Sequence, residues 1–217
     1  MQHSIRVGMA DVLTPEEYIN STQAQGQLST AALDQASPEM VATDLVKVTI
    51  PGATFRLVDD HYVGSNGVAH YYFKQTANDL DIDNADFNVN IDRDGTVFSF
   101  GNSFYKGNGP SALSKRDTIE PVMALKAVVN NLQLPLNVDK ATAESKGDGF
   151  AFKQTVGAVS EPKARLVYVQ TANYNLALAW RVETDVDTNW LLTYIDAADG
   201  KTIHHVVDYA ADATYEV

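Results

Sequence analysis

The sequence contains no cysteine. Disulfides therefore cannot stabilise the fold, and no thiolate is available to bind a metal. Cations are scarce as well: 16 Lys and Arg stand against 28 Asp and Glu, a formal net charge of -12. A surface of that sign repels phosphate backbones and anionic headgroups, so neither nucleic acid nor a membrane is expected as a partner. No apolar run approaches the ~20 residues that span a bilayer as a helix. The first residues, Met1-Gln2-His3-Ser4-Ile5-Arg6, lack the apolar core of a secretory signal. The chain as it stands is expected to be soluble.

Catalytic signatures are missing too. No serine stands in a G-x-S-x-G turn and no glycine-rich phosphate loop occurs. The five histidines are His3, His61, His70, His204 and His205. None belongs to an H-E-x-x-H pair, in which two imidazoles one helical turn apart hold zinc and the glutamate acts as base. His204 and His205 are adjacent, so in a strand their rings face opposite sides and cannot share a metal. Asp79, Asp81 and Asp83 alternate as the first ligands of a calcium loop do, but the required glycine and glutamate are replaced by Asn84 and Asn90. The chain is expected to be no enzyme and to hold no metal or cofactor. His61 and His70 read as structural cross-strand neighbours in one hairpin, with pH sensing as the competing role.

What is present is a foldable chain. It has 217 residues, 45% of them hydrophobic, enough for one large domain or two small ones. From Thr54 to Phe104 apolar and polar residues alternate, interrupted by turn signals at 64–67, 77–79 and 92–95, and four antiparallel strands are predicted. Ser37-Pro38-Glu39 opens a helix before them, with Val41, Leu45 and Val48 on one face and Pro51-Gly52 as its end. Further upstream, residues 1–37 read as an N-terminal arm. In it Thr14-Pro15-Glu16-Glu17 starts a short helix to about Ser21, Asn20-Ser21-Thr22 matches a glycosylation acceptor at Asn20, and the rest is polar and small.

Residues 106–116, rich in Gly, Pro and Ser, form the expected linker. Beyond it Asp117 or Thr118 caps a second helix with Pro121 in its first turn and Val122, Leu125, Val128, Val129 and Leu132 on the buried side; Leu134-Pro135-Leu136 stops it. Strands are predicted at 141–144, 150–155, 165–170, 176–183, 190–196 and 202–208. The helix-then-strands order thus occurs twice. The wording of residues 89–97 is echoed at 193–203, as a true repeat or merely as two Asp-Gly hairpins. The expected class is α+β: two cystatin-like units, each a helix on a curved antiparallel sheet.

Asp59-Asp60-His61-Tyr62-Val63-Gly64, Asn66-Gly67-Val68-Ala69-His70 and the run from Leu80 to Asn90 closely resemble the propeptides of fungalysins, secreted fungal zinc metallopeptidases related to thermolysin. Leu178-Ala179-Trp180-Arg181-Val182, Trp190 to Ala197, Gly200-Lys201 and Asp208-Tyr209 resemble the PepSY domain of such propeptides. The likeness runs from about Val48 to Val217. It implies a fungalysin/thermolysin propeptide domain at 38–105, a PepSY-like domain at 117–209 and a junction tail at 210–217. It also implies a secreted precursor, a fungalysin catalytic domain as partner with zinc in that partner, and two jobs: assisting the peptidase to fold and holding it inactive until cleavage.

Two surfaces are candidates for contact. Asp79, Asp81 and Asp83, continued by Asn84 and Asp86, form a polar strand face that is either solvated or meets basic and amide groups of a partner. Tyr209, Ala210, Ala211, Asp212, Ala213, Thr214, Tyr215, Glu216 and Val217 are small and extended, a frayed end or a strand added to a peptidase cleft. The resemblance makes this tail the processing junction, cut between Tyr209 and Tyr215, with Asp212, Glu216 or a carbonyl placed to obstruct the zinc. The competing expectation is a stand-alone extracellular cystatin-like module that binds another protein.

Overall fold

The computed structural model describes residues 37–110 and 118–209, together with the backbone of residues 17–20. The class is α+β, and the chain divides into two compact units, one built on residues 37–110 and the other on the stretch beyond 118.

In the first unit Ser37 caps helix α1, Pro38–Thr49, its side chain accepting from the Met40 N–H at 3.3 Å. Pro38 at the first helical position costs no hydrogen bond there. The buried face is Val41, Ala42, Leu45 and Val46. Val48, expected on that face, is 51% exposed. The stripe is centred between Val41 and Val46, and Val48 lies about a quarter turn from that centre at 3.6 residues per turn.

The sheet is antiparallel throughout. Strands β2 (Thr54–Leu57) and β3 (Tyr62–Val63) both pair with β4 (Ala69–Ala77), which pairs with β5 (Leu80–Ile91), and β5 with β6 (Val97–Asn102). Buried residues stand opposite one another, Tyr71 to Val89 and Phe73 to Phe87, and the Phe87 and Phe100 rings stack at 5.3 Å. Helix α1 packs on β4 and β5. Beyond β6 lies β1, Glu17–Asn20, with Tyr18 opposite Gly101 and Ile19 opposite Phe100. This corrects the short helix expected from Thr14 to Ser21. The segment has no helical apolar face, Tyr and Ile favour strands, and the edge of β6 offers the backbone partners that a solvated helix of this length lacks.

In the second unit helix α2 spans Pro121–Leu132, and its N-cap position is Glu120, whose side chain makes no capping hydrogen bond, rather than Asp117 or Thr118. Proline disfavours helical backbone in the residue before it, so the helix starts at Pro121. Ala124, Leu125, Val128 and Val129 are buried, while Val122 and Leu132 pack at the margin of the same core. Gln133, left-handed at φ 52°, ends the helix. Strands β7 (Thr142–Lys146), β8 (Gly149–Lys153), β9 (Lys163–Gln170), β10 (Leu176–Val186), β11 (Asn189–Asp196) and β12 (Ile203–Asp208) then form an antiparallel meander in chain order.

One face of this sheet joins α2 in a core that includes Phe152, Trp180, Val182, Leu191 and Ile195. The Trp180 indole N–H donates to the Ile119 carbonyl at 3.0 Å. The other face carries a second buried cluster: Val167, Val169, Ala179, Leu192 and Tyr194.

The echoed wording forms equivalent hairpins. Asp92 Oδ1 accepts from the Asp94 and Thr96 N–H groups, and Asp196 Oδ1 from those of Ala198 and Asp199. Gly95 and Gly200 take positive φ in the two turns. A register shift follows Asn90 in one and Tyr194 in the other, at matching places.

Candidate binding surfaces

The acidic stretch begins in the β4–β5 turn. Ala77 pairs with Leu80, leaving Asn78 and Asp79 as a two-residue loop with φ 48° and 63°, the left-handed geometry that right-twisted hairpins require. Asp81 is buried, and Arg56 of β2 grips it with both ends of a fork: Nε to Oδ1 at 2.8 Å and Nη2 to Oδ2 at 2.7 Å. Lys74 of β4 donates to the Asp83 carbonyl at 2.7 Å and pairs with the Asp86 carboxylate at 2.5 Å.

These acids do not form one row. Lys74 faces Asp86 but Thr76 faces Asp81, so four residues of β5 stand against Gln75 alone. Such a bulge resets the pleat, and it brings both Ile82 and Ala85, three residues apart, to the interior. Gln75 fills the gap by pairing its amide with the backbone of Tyr105: the Tyr105 N–H donates to Oε1 at 2.6 Å and Nε2 donates to the carbonyl at 3.1 Å. Sequence reasoning missed Arg56 as the partner of Asp81. Nothing in the sequence placed them together, because Arg56 on β2 reaches β5 across Lys74 of β4, a matter of register.

Further along, His70 Nδ1 bonds to Asn90 Oδ1 at 2.7 Å, and Asn90 Nδ2 donates to Ser99 Oγ at 2.9 Å, a polar chain across β4, β5 and β6. His70 stacks on Tyr62 at 4.7 Å and His61 on Tyr71 at 5.5 Å. The two histidines share the hairpin, each facing a tyrosine rather than the other. Burial raises the Tyr71 pKa, with a smaller contribution from the charge of Glu39. In β12 His204 Nε2 lies 3.2 Å from Asp196 Oδ2, and burial lowers the His205 pKa. Among the described residues no group of three or more His, Cys, Asp or Glu is placed to hold a metal ion, and no helix is long and apolar enough to cross a membrane.

Of the tail, only Tyr209 is among the described residues. Its N–H donates to the Trp190 carbonyl at 2.9 Å and its ring lies 5.4 Å from the Trp190 indole. Ala210 to Val217 lie outside the described residues, as does the side chain of Asn20, whose backbone closes β1.

Residues 53–104 match the family described as the Fungalysin/Thermolysin Propeptide Motif. The chain is 59% identical over 208 residues to the extracellular metalloproteinase MEP of Leptosphaeria maculans, covering 94% of this chain and 33% of that protein. It is 61% identical over 208 residues to extracellular metalloproteinase 2 of Phaeosphaeria nodorum (94% and 32%) and 58% identical over 207 residues to extracellular metalloproteinase mep of Aspergillus fumigatus (93% and 33%). It therefore spans about a third of the length of the curated relatives it matches. Among solved structures, the Bacillus megaterium YpeB C-terminal domain aligns at a TM-score of 0.39 and 13% identity, covering 80% of this chain and 66% of that one. The matched motif is that of a propeptide, not of a catalytic domain, and this region is not itself an enzyme.

Proposed function

We propose that this propeptide region of a fungalysin-type extracellular metalloproteinase binds its own peptidase domain, assists its folding and keeps it inactive until the connection is cut. One observation carries the reading: a likeness over 94% of the chain falls on only 33% of a metalloproteinase, and it includes a propeptide motif. In this reading the precursor is secreted, as the relatives' names suggest, and zinc belongs to the peptidase domain.

The two units are then a fungalysin/thermolysin propeptide domain at 38–105 and a PepSY-like domain at 117–209, both cystatin-like, joined by the linker 106–116. The helix on one sheet face in each unit and the matched hairpins at Asp92 and Asp196 support that assignment. The arm before residue 38 adds at least one strand, β1.

Covalent attachment raises the local concentration of an inhibitor to about millimolar, so inhibition before cleavage needs little intrinsic affinity. The segment from Tyr209 to Val217 occupies the cleft and obstructs the metal through Asp212, Glu216 or a carbonyl, because the chain has no thiol to offer. The polar groups of Asp79, Asp83, Asn84 and Asp86 form a secondary contact, whereas Asp81 serves the fold through Arg56.

The test is titration of the chain into an active fungalysin catalytic domain, following peptide hydrolysis and co-elution on gel filtration. Saturable inhibition with a one-to-one complex is expected, and truncation after Asp208 should relieve it. Unchanged potency on truncation would move the inhibitory contact from the tail to the sheet faces. Absence of both inhibition and complex would favour a stand-alone extracellular module that binds another protein.

A further inference from the structure

The meander of the second unit ends in β12, which pairs with β11 on one side and, among the described residues, with no strand on the other. Register fixes which of its main-chain groups are committed. The Tyr209 N–H donates to the Trp190 carbonyl, and the same alignment sets Val207 opposite Leu192, Val206 opposite Thr193 and His205 opposite Tyr194. In an antiparallel pair bonded and open positions alternate, so Tyr209, Val207 and His205 bond to β11, while Val206 directs its N–H and C=O to the open side. Beyond the bulge the Asp196 N–H donates to the Thr202 carbonyl, which turns Ile203 outward in the same way.

An open edge recruits strands, and proteins blunt such edges with lysine, proline or a distorting bulge. The strand at the opposite end of this meander is blunted: β7 is exposed along most of its length and carries Glu144 and Lys146. By contrast β12, Ile203-His204-His205-Val206-Val207-Asp208, has neither lysine nor proline, and its bulge lies near its start, leaving His205 to Asp208 in regular register. Its polar side chains are turned back on the fold: His204 Nε2 lies 3.2 Å from Asp196 Oδ2, the His205 ring faces Tyr194, and Asn189 donates to Asp208. Where the strand ends, the Trp190 and Tyr209 rings lie 5.4 Å apart, each residue 46% exposed. Tryptophan and tyrosine are the side chains on which protein contacts most often turn.

We propose that the open edge of β12 is completed by an extended segment of the peptidase domain, with the Trp190–Tyr209 pair packed on its flank. Main-chain pairing supplies the affinity, and the aromatic pair fixes the position along the edge. This inference rests on the propeptide reading, which supplies the partner. In that reading the connection is cut between Tyr209 and Tyr215, so the peptidase begins within about six residues of β12, at most ~20 Å away along an extended chain. A neighbour tethered that closely is present at about millimolar effective concentration, an advantage that a second copy of this chain lacks. The main-chain contacts lie before the tail begins, so they are separate from any contact the tail makes in the cleft.

Amide hydrogen exchange, followed by NMR on the intact chain alone and with a fungalysin catalytic domain, tests the proposal. In the free chain the Val206 amide should exchange at least tenfold faster than that of Val207, and in the complex it should slow by at least tenfold. Val207, bonded to β11 in both states, is the reference. Val206→Pro removes only a donor on the open side, where an edge strand tolerates proline. It should unfold at the urea midpoint of the parent and bind the catalytic domain at least tenfold more weakly by calorimetry, and Trp190→Ala should weaken binding several-fold. Should the proline variant fail to fold, the exchange measurement decides by itself. A complex in which Val206 exchanges as fast as in the free chain would overturn the edge contact and leave the propeptide reading standing. No complex at all would overturn both. Protection of Val206 in the free chain would also overturn the proposal: protection that grows with concentration would assign the edge to a second copy, and constant protection would mean that the chain covers its own edge.

Discussion

Asp81 has an acidic strand's appearance in sequence and a structural role in space, and the two can be separated by experiment. Its side chain is 8% exposed, whereas that of Arg56 is 47% exposed. Replacing Arg56 by Met takes the guanidinium fork away from a shielded carboxylate. Breaking a wholly buried pair costs about 3–5 kcal/mol, but water already reaches this arginine, so about 2 kcal/mol is expected, as for a hydrogen bond to a charged group. Replacing Asp81 by Asn keeps the shape and one acceptor and leaves the guanidinium hydrated, which should cost about 1 kcal/mol. With a urea slope of about 1.5 kcal/mol per molar, the midpoints should fall by about 1.3 M and about 0.7 M respectively. Far-UV circular dichroism should be the monitor, since both tryptophans, Trp180 and Trp190, lie in the other unit. If Asp81→Asn costs as much as Arg56→Met, the reasoning from unequal burial is wrong. Unchanged midpoints with weaker peptidase binding would return Asp81 to the contact surface.

Leu125 is fully buried beside Trp180 in the α2 core, so Leu125→Ala should cost about 3 kcal/mol, read from urea unfolding by tryptophan fluorescence. Gly149→Ala drives a Cβ against a backbone oxygen that no side-chain rotation can clear; a loss above about 2 kcal/mol is expected by the same assay. Burial holds the His205 pKa below its ordinary value, so the unfolded chain takes up a proton while the folded chain still resists it. The His205 contribution is therefore complete above about pH 6.5 and declines as pH falls toward the folded value. His205→Gln should flatten the stability profile between about pH 7 and 5, and an unaltered slope would assign the decline to other groups.

Strands were readable because their period of two survives in isolation: the turns after Val63, Ala77 and Ile91 all carry residues suited to reversal. The helices were readable by period and proline, but their edges depended on neighbours. Val48 satisfies a spacing rule yet lies off the face that β4 and β5 cover. β1 forms where local capping signals pointed to a helix, because pairing with β6 is a long-range gain that the local sequence does not encode. The acidic row failed for a related reason. Alternation says which residues share a face only until a bulge intervenes, and this one is held by Gln75 reaching Tyr105, 30 positions away. The Arg165–Arg181 juxtaposition is likewise a fact of register, invisible until β9 and β10 are paired.

The two units have their own buried cores, so the contact surfaces they present among the described residues need little ordering on binding, which lowers the cost of association. That bears on where the strength of any one contact should matter. While the chain is tethered at an effective concentration of about 1 mM, a dissociation constant weakened from ~1 µM to ~10 µM still leaves the contact ~99% formed. Once the connection is cut and the chain is diluted to ~1 µM, the same change lowers occupancy from about half to about a tenth. A substitution at Asp212 or Glu216 that weakens binding tenfold should therefore leave an uncut precursor latent while abolishing most inhibition by the separated chain. Activity assays of the precursor and of an equimolar mixture would show the split. Equal loss of inhibition in both would mean that the substituted residue is needed for the propeptide to hold its inhibitory shape, not for the strength of one contact.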